Sequence, residues 1–368
     1  MNKNTKILIS GGGTGGHIFP AIAIANELKS KINDIEILFV GAKGRMEMEK
    51  VPMAGYKIIG LWISGLQRRL TIKNLLFPFK LISSLLKAKS IINKFSPNVV
   101  VGTGGYASGP LLYCASLSKI PTLIHEQNAF PGITNKLLAK NVSKVCVSYS
   151  GMEKFFPPDK LKITGNPIRK EILHISVSKK EALNFFGLET DKKTLLIIGG
   201  SQGARKINEA ILHNIKIVLD MNIQLLWQTG ESSFDSIVKN TTEFKNIQVR
   251  KFIQRMDMAY SACDFIISRA GAIAIAEIIA SKKPAIFIPL PSAAEDHQTK
   301  NAMSLVEGNA GIIINENDCI NRLPVALENL VNDNELQKRI INNLDSFSYP
   351  NAASDIADEV IKLIRDDN

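Results

Sequence analysis

Lys6-Ile7-Leu8-Ile9-Ser10 runs straight into Gly11-Gly12-Gly13-Thr14-Gly15-Gly16-His17. Much later, Thr194-Leu195-Leu196-Ile197-Ile198 runs into Gly199-Gly200-Ser201-Gln202-Gly203-Ala204. Each stretch reads as a buried strand, a glycine-rich turn and the start of a helix, as at the opening of a parallel α/β unit. Short apolar runs alternate with helical patterns outward from both. The first series is Lys6–Ser10, Ile35–Val40, Asn98–Val101, Thr122–His125 and Lys144–Val147. The second is Thr194–Ile198, Gln224–Gln228, Ile247–Lys251, Phe265–Ser268, Ala285–Ile288 and Gly311–Ile314. Helical patterns cover Ala21–Lys31, Ala204–Asp220, Ile273–Ser281 and Lys300–Glu307. The fold class expected is α/β, two Rossmann-like domains with parallel sheets covered on both faces. The architecture restarts near Gly165-Asn166-Pro167-Ile168-Arg169, without a sequence repeat. The expected division is 1–165, 166–347 and a final helical segment, 348–368.

The 368 residues, 45% hydrophobic, suit about two domains. The four cysteines, Cys114, Cys146, Cys263 and Cys319, lie far apart, which argues against a zinc site and a disulfide framework. The apolar part of MNKNTKILIS is short for a signal peptide, and no apolar run reaches the roughly 18 residues of a membrane span. The expectation is a cytoplasmic protein. A net charge of +11 favours anionic partners such as phosphorylated substrates or an anionic membrane surface. No zinc-knuckle or RNP-type pattern points to nucleic acid.

Gly11, Gly13 and Gly16 match the dinucleotide pattern G-x-G-x-x-G. A dinucleotide site needs an acid at the end of the next strand, and that strand ends Phe39-Val40-Gly41-Ala42. A triphosphate loop needs lysine and a hydroxyl residue where His17-Ile18 stands. The loop is then either a bare backbone for a phosphate or sugar, or a tight turn. The second loop adds Ser201 and Gln202, and the pair suggests two polar ligands meeting at a domain interface. At a helix N-terminus the dipole favours neutral imidazole, so His17 suits a general base as well as it suits a capping residue.

Further polar groups follow other strands. Gly102 to Pro110 holds Gly104, Gly105 and Tyr106, and His125-Glu126-Gln127-Asn128 ends the next strand. The carboxyl ends of parallel strands carry ligands in such sheets, so these loops should converge with His17, while His125 by itself reads equally as a satisfied strand-end histidine. In the second series Ser268-Arg269-Ala270-Gly271-Ala272 opens a helix, and Glu277 lies one to two turns in, placed either to grip two ribose hydroxyls or to face solvent as an ordinary helix glutamate. Asp296-His297-Gln298 and Asn301 stand at the same edge. No Asp-x-Asp occurs, so a metal clamp has no evident ligands. Leu75, Phe79, Ile82 and Leu86 share one helical face flanked by Lys80, Lys87 and Arg68-Arg69. That face reads as a core stripe with snorkelling lysines or as an interfacial helix, and the pattern alone favours the core.

In order, GGGTGGH, GGYASGP, HEQN, GNPIR, GGSQGA, SRAGA and DHQTKNA resemble the MurG family, glycosyltransferase family 28. These are the UDP-N-acetylglucosamine:lipid I N-acetylglucosaminyltransferases of peptidoglycan synthesis. The resemblance covers almost the whole chain. It implies a GT-B fold, two Rossmann-like domains facing a cleft with the last helix returning to the first. It implies transfer of GlcNAc from UDP-GlcNAc to the C4 hydroxyl of MurNAc in lipid I, with inversion, giving lipid II at the cytoplasmic face of the membrane. No metal or other cofactor is expected. The partners implied are UDP-GlcNAc, lipid I, the anionic inner leaflet and other cell-wall synthesis proteins, without nucleic acid.

The resemblance also implies roles. His17 is the candidate base, with His125 and Glu126 as helpers on the acceptor side. Gly104, Gly105 and Tyr106 lie on that side too. Thr14, Gly15, Gly16, Asn128 and Arg169 fall at positions against the donor. Ser201 and Gln202 match the diphosphate loop, Ile253 the uracil contact through its backbone, and Ala272, Ile273 and Glu277 the nucleoside grip. Gln298 matches a contact to the GlcNAc hydroxyls. The family's membrane patch falls on Leu75, Phe79, Lys80, Ile82, Leu86 and Lys87, which reverses the preference for a core stripe. Family members often carry a hydroxyl residue where this chain has Ala274. Rival readings are an enzyme of the same fold with another lipid acceptor such as diacylglycerol, a silent membrane scaffold, and a nicotinamide oxidoreductase. The last is disfavoured by the missing acid after Val40.

Overall fold

The computed structural model describes residues 5–65, 75–200 and 203–366. The chain forms two compact units, Met1–Ile168 with Asn351–Asn368, and Arg169–Pro350. In the first unit the strands are β1 (Thr5–Gly11), β2 (Ile35–Ala42), β3 (Lys57–Leu61), β4 (Val99–Gly104), β5 (Thr122–Glu126), β6 (Lys144–Val147) and β7 (Leu161–Ile163). They pair in parallel in the order β3-β2-β1-β4-β5-β6-β7. In the second unit β8 (Lys193–Ile198), β9 (Ile223–Gln228), β10 (Ile247–Arg250), β11 (Phe265–Ser268), β12 (Ala285–Phe287) and β13 (Ile312–Ile313) form a parallel sheet ordered β10-β9-β8-β11-β12-β13.

The side-chain period of two divides the first core into two layers. Leu8, Val40, Val100 and Ile124 face one side, packed with Ala88, Ile91 and Ile92 of the helix Phe77–Phe95 and Leu111 and Leu112 of the helix Ser108–Leu117. Ile7, Ile9, Phe39, Val99 and Val101 face the other, against Ile18, Ile24 and Leu28 of the helix Gly15–Lys31 and Ile356 and Val360 of the helix Ala352–Asp366. The C-terminal helix therefore completes the first unit's core. Polar contacts anchor it: Lys31 Nζ donates to Asp358 Oδ1 at 2.6 Å, and Lys162 and Lys362 donate to Glu359 at 2.9 and 2.7 Å. Burial alone would raise the Glu359 carboxyl. The hydrogen bonds from Lys362 and Lys162 and the charge of Lys144 outweigh it and hold the group at about 2.

Three features depart from the sequence reading. The first helix begins at Gly15, a full turn or more before Ala21, although Gly15, Gly16 and Pro20 argue for a loop. Packing overrides propensity there: Ile18 is fully buried, and Thr103 Oγ1 donates to the His17 carbonyl at 2.7 Å. The stretch Ala204–Asp220 divides into Arg205–His213 and Ile215–Asp220 at Asn214, whose Nδ2 bonds the carbonyls of Ala210 and Ile320. Leu75, Phe79, Ile82 and Leu86 are all exposed, Phe79 by 66%, while Ser84, Ala88, Ile91, Ile92 and Phe95 are buried. The core reading of that stripe is thus overturned, because the face bearing Ser84, Ala88, Ile91, Ile92 and Phe95 is the one packed on the sheet. Arg68 and Arg69 lie outside the described residues, and among those described no helix is long and apolar enough to cross a membrane.

Candidate active site

Strand order locates the ligand edge of each unit. In the first sheet the direction of strand progression reverses between β1 and β4, and in the second between β8 and β11. Loops leaving the carboxyl ends of such a pair diverge and open a crevice in open α/β sheets. The loops in question are Gly11–Gly16 and Gly104–Ala107 in one unit, and Gly199–Ala204 and Arg269–Gly271 in the other. Four of the glycine-bearing turns read from the sequence therefore stand at the two switch points.

The first pair of loops packs backbone on backbone. Gly12 N donates to the Gly104 carbonyl at 3.3 Å, and a Cβ on Gly105 would stand 2.3 Å from the Gly12 oxygen. Part of the loop's bareness thus serves the protein's own packing, beyond any approach of ligand. Thr14, in extended backbone, is the N-cap of the helix whose first turn holds Gly15, Gly16 and His17. His17 is half-buried, with Nδ1 3.2 Å from the Gly12 carbonyl and 3.4 Å from Thr14 Oγ1. A carbonyl only accepts, so Nδ1 carries the proton and the lone pair of the neutral ring falls on Nε2. Tyr106 is exposed, with its ring beside Gly65 and Gly13.

His125 and Glu126 sit differently from His17. The His125 ring is fully buried, donating from Nε2 to the Gly165 carbonyl at 3.0 Å and accepting at Nδ1 from Gln127 Nε2 at 3.0 Å. Burial pushes it down to about 4, the Gly165 bond opposes this, and the nearby His17 adds to it, so the ring is neutral at pH 7. Glu126 Oε1 accepts from the amide and Nδ2 of Asn128 at 3.0 and 3.1 Å. Its Oε2 accepts from Gly132 N at 3.0 Å and Asn135 Nδ2 at 2.9 Å. Burial and these bonds tie both side chains into the loop after β5. Asn128 is half-buried in the same network.

In the second unit Glu277, in the helix Ala272–Ser281, is buried. Its Oε1 accepts from Arg169 Nε and Nη2 at 3.0 and 2.9 Å, and its Oε2 from the Tyr260 hydroxyl at 3.2 Å. Burial pushes the Glu277 carboxyl above its usual value against the pull of Arg169. Ala272 and Ile273 form the first turn of that helix, directly after β11 and the turn at Arg269–Gly271. Arg269 holds the turn from beneath, donating to the carbonyls of Ile288 and Pro289 at 3.1 Å each and to Glu316. Gln298 Oε1 accepts from Leu290 N at 2.9 Å. Ile253 is buried and its amide donates to Gln228 Oε1 at 2.9 Å. Ser201 and Gln202 lie outside the described residues.

Tyr260 and Glu47 are among the residues of these networks that escaped the sequence reading. Tyr260 completes the Glu277 carboxylate from a separate helix, Met256–Ala262, and no local signal marks it. Glu47 had one. The acid sought at the end of β2 stands five residues further on, in the first turn of the helix Glu47–Met53. It is fully buried, and its carboxylate accepts from Gly13 N and Ala42 N at 2.9 Å each. An acid thus binds the first loop from the protein side, occupying one of the amides a dinucleotide phosphate would use.

Similarity to known proteins agrees with this layout. The glycosyltransferase family 28 N-terminal domain matches residues 7–147, and the family 28 C-terminal domain matches residues 194–360. A relative from Flavobacterium psychrophilum is 50% identical over 359 residues, covering 98% of both chains. One from Christiangramia forsetii is 50% identical over 364 residues, covering 99% of both. Both are named UDP-N-acetylglucosamine--N-acetylmuramyl-(pentapeptide) pyrophosphoryl-undecaprenol N-acetylglucosamine transferase. The crystal structure of Acinetobacter baumannii MurG has a TM-score of 0.78 at 27% identity, covering 97% of this chain and 99% of that one. The chain belongs to glycosyltransferase family 28.

Proposed function

We propose that this protein transfers GlcNAc from UDP-GlcNAc to the C4 hydroxyl of MurNAc in lipid I, with inversion, to give lipid II. The observation that carries the reading is half identity over nearly the full length to relatives bearing that name. The His17 geometry supports the chemistry. With Nδ1–H held by the Gly12 carbonyl, Nε2 takes the proton of the acceptor hydroxyl as its oxygen attacks the anomeric carbon. The bond to the UDP oxygen breaks on the opposite face. The leaving diphosphate is stabilised by the amides of the loop after β8, with Ser201 and Gln202, and by the N-terminus of the helix Ala272–Ser281. Glu277, fixed by Arg169 and Tyr260, accepts the ribose hydroxyls. In the first unit Thr14, Gly15, Gly16 and Asn128 serve the donor and Gly104, Gly105 and Tyr106 the acceptor, and in the second Gln298 serves the donor sugar. No step requires a metal.

The exposed apolar face of Leu75, Phe79, Ile82 and Leu86 seats the first unit on the cytoplasmic leaflet that holds lipid I. Lys80 and Lys87 lie along the helix, donating to Ser64 Oγ at 3.0 Å and to the Gly60 carbonyl at 2.9 Å.

The test is transfer of labelled GlcNAc to a short-chain lipid I analogue with EDTA present, beside diacylglycerol as acceptor and a His17→Ala variant. The expected result is lipid II from the wild type alone. The variant should lose roughly a hundredfold or more in kcat while UDP-GlcNAc still binds. Transfer to diacylglycerol instead would move the reading to another lipid acceptor. Unchanged turnover in His17→Ala would remove the base assignment.

A further inference from the structure

Glu47 belongs to no part of that mechanism, yet it is wholly buried against the loop that carries His17. Its Oε2 accepts from Gly13 N at 2.9 Å. The same peptide unit presents the Gly12 carbonyl to His17 Nδ1 at 3.2 Å. One peptide group is thus clamped at its N–H by a carboxylate and at its C=O by the imidazole. The second oxygen, Oε1, accepts from Ala42 N at 2.9 Å and fixes the carboxylate to the end of β2. Gly12 and Gly41 make room for it. A Cβ on Gly12 would stand 2.2 Å from Glu47 Oε1, and one on Gly41 2.6 Å from its Cγ.

We infer that Glu47 is a positioning residue for His17, acting through the Gly12–Gly13 peptide. The inference rests on the reading of His17 as the base. A carboxylate on the N–H of an amide polarises it and places more negative charge on its oxygen, since linked hydrogen bonds strengthen one another. That oxygen holds the His17 proton on Nδ1, keeps the lone pair on Nε2, and stabilises the imidazolium formed when Nε2 takes the acceptor proton. The logic is that of the acid that orients a catalytic histidine directly, with a peptide interposed. Among the described residues, other titratable groups at this edge include His125, Glu126 and Tyr106, with exposed Lys43 and Arg45 after β2. His125 is neutral, Glu126 is saturated by Asn128, Gly132 and Asn135, and Tyr106 is exposed. Glu47 is therefore the buried carboxylate tied to the peptide that His17 touches.

The experiment compares wild type, Glu47→Gln and His17→Ala with the lipid I analogue across pH, alongside UDP-GlcNAc affinity. Glutamine keeps the size but removes the charge and can accept only one of the two amide protons. The expected result is a kcat about tenfold to a hundredfold lower in Glu47→Gln, with KM for UDP-GlcNAc unchanged. The acidic limb of kcat should move to lower pH, because the imidazolium loses a stabilising charge. Wild-type kcat and an unmoved limb in Glu47→Gln, beside an inactive His17→Ala, would overturn this inference and leave the base assignment standing. Wild-type turnover in His17→Ala would overturn both. Folding of the variant does not limit the test: ring-nitrogen NMR of the wild type, with His17 assigned by its loss in His17→Ala, should show the proton on Nδ1. A proton on Nε2 would overturn the inference by itself.

Discussion

Acidifying the protein from pH 7 to pH 4 should weaken the first unit by about 3 kcal/mol through His125 alone. The ring is fully buried and pushed from 6.5 to about 4. Between those values the unfolded chain binds a proton that the native ring refuses, so stability falls as pH drops. Each pH unit of that displacement corresponds to roughly 1.4 kcal/mol, and the loss ends near pH 4, where both states are protonated. Burial is the main cause of the refusal, and the Gly165 bond works against it; a proton on Nδ1 would also face the donor Gln127 Nε2. A His125→Gln variant retains a donor and an acceptor but cannot titrate. The assay is native-state hydrogen exchange of the β1, β4 and β5 amides, corrected for intrinsic rates, at several pH values from 7 to 4. Wild type should lose protection relative to the variant across that window. Parallel pH dependence in the two proteins would show that the ring is protonated in the fold, and the geometry described above would be wrong.

Two further outcomes are expected. Glu277→Gln should weaken UDP and UDP-GlcNAc binding alike by about ten- to a hundredfold in calorimetry, the value of hydrogen bonds to a charged group; equal affinity in wild type and variant would remove its ribose role. Phe79→Asp should weaken binding to phosphatidylglycerol-containing vesicles by about tenfold or more, with thermal stability nearly unchanged because the side chain is exposed; unaltered vesicle binding would place the membrane contact elsewhere.

Legibility of the chain followed the range of the interactions. Strand periodicity and two glycine turns were local signals, and they were enough for two parallel α/β units and for the edges at which His17 and Glu277 stand. The weak strands β3 and β7 were not visible, because a few residues beside Gly60 or after Pro157-Pro158 acquire strand character only by pairing with β2 and β6. Local pattern misjudged the start of the first helix, where Gly15, Gly16 and Pro20 speak for a loop while buried Ile18 decides for a helix. It also misjudged the Leu75–Leu86 face, since apolar spacing shows that a stripe exists but not what covers it.

The sequence alone determined the fold class and the family, because these rest on periodicity and on contiguous motifs. Tertiary structure decided what those residues do for one another. Arg169 and Tyr260 meet Glu277 from separate helices or turns. His125 and Glu126 are drawn into buried networks with Gly165, Gln127 and Asn135. Glu47 reaches back 34 residues to the peptide that holds His17. The physical reason is that hydrogen-bond partners and burial are set by which strands lie side by side. Side chains distant in sequence share one carboxylate or one peptide group only after the sheet has formed.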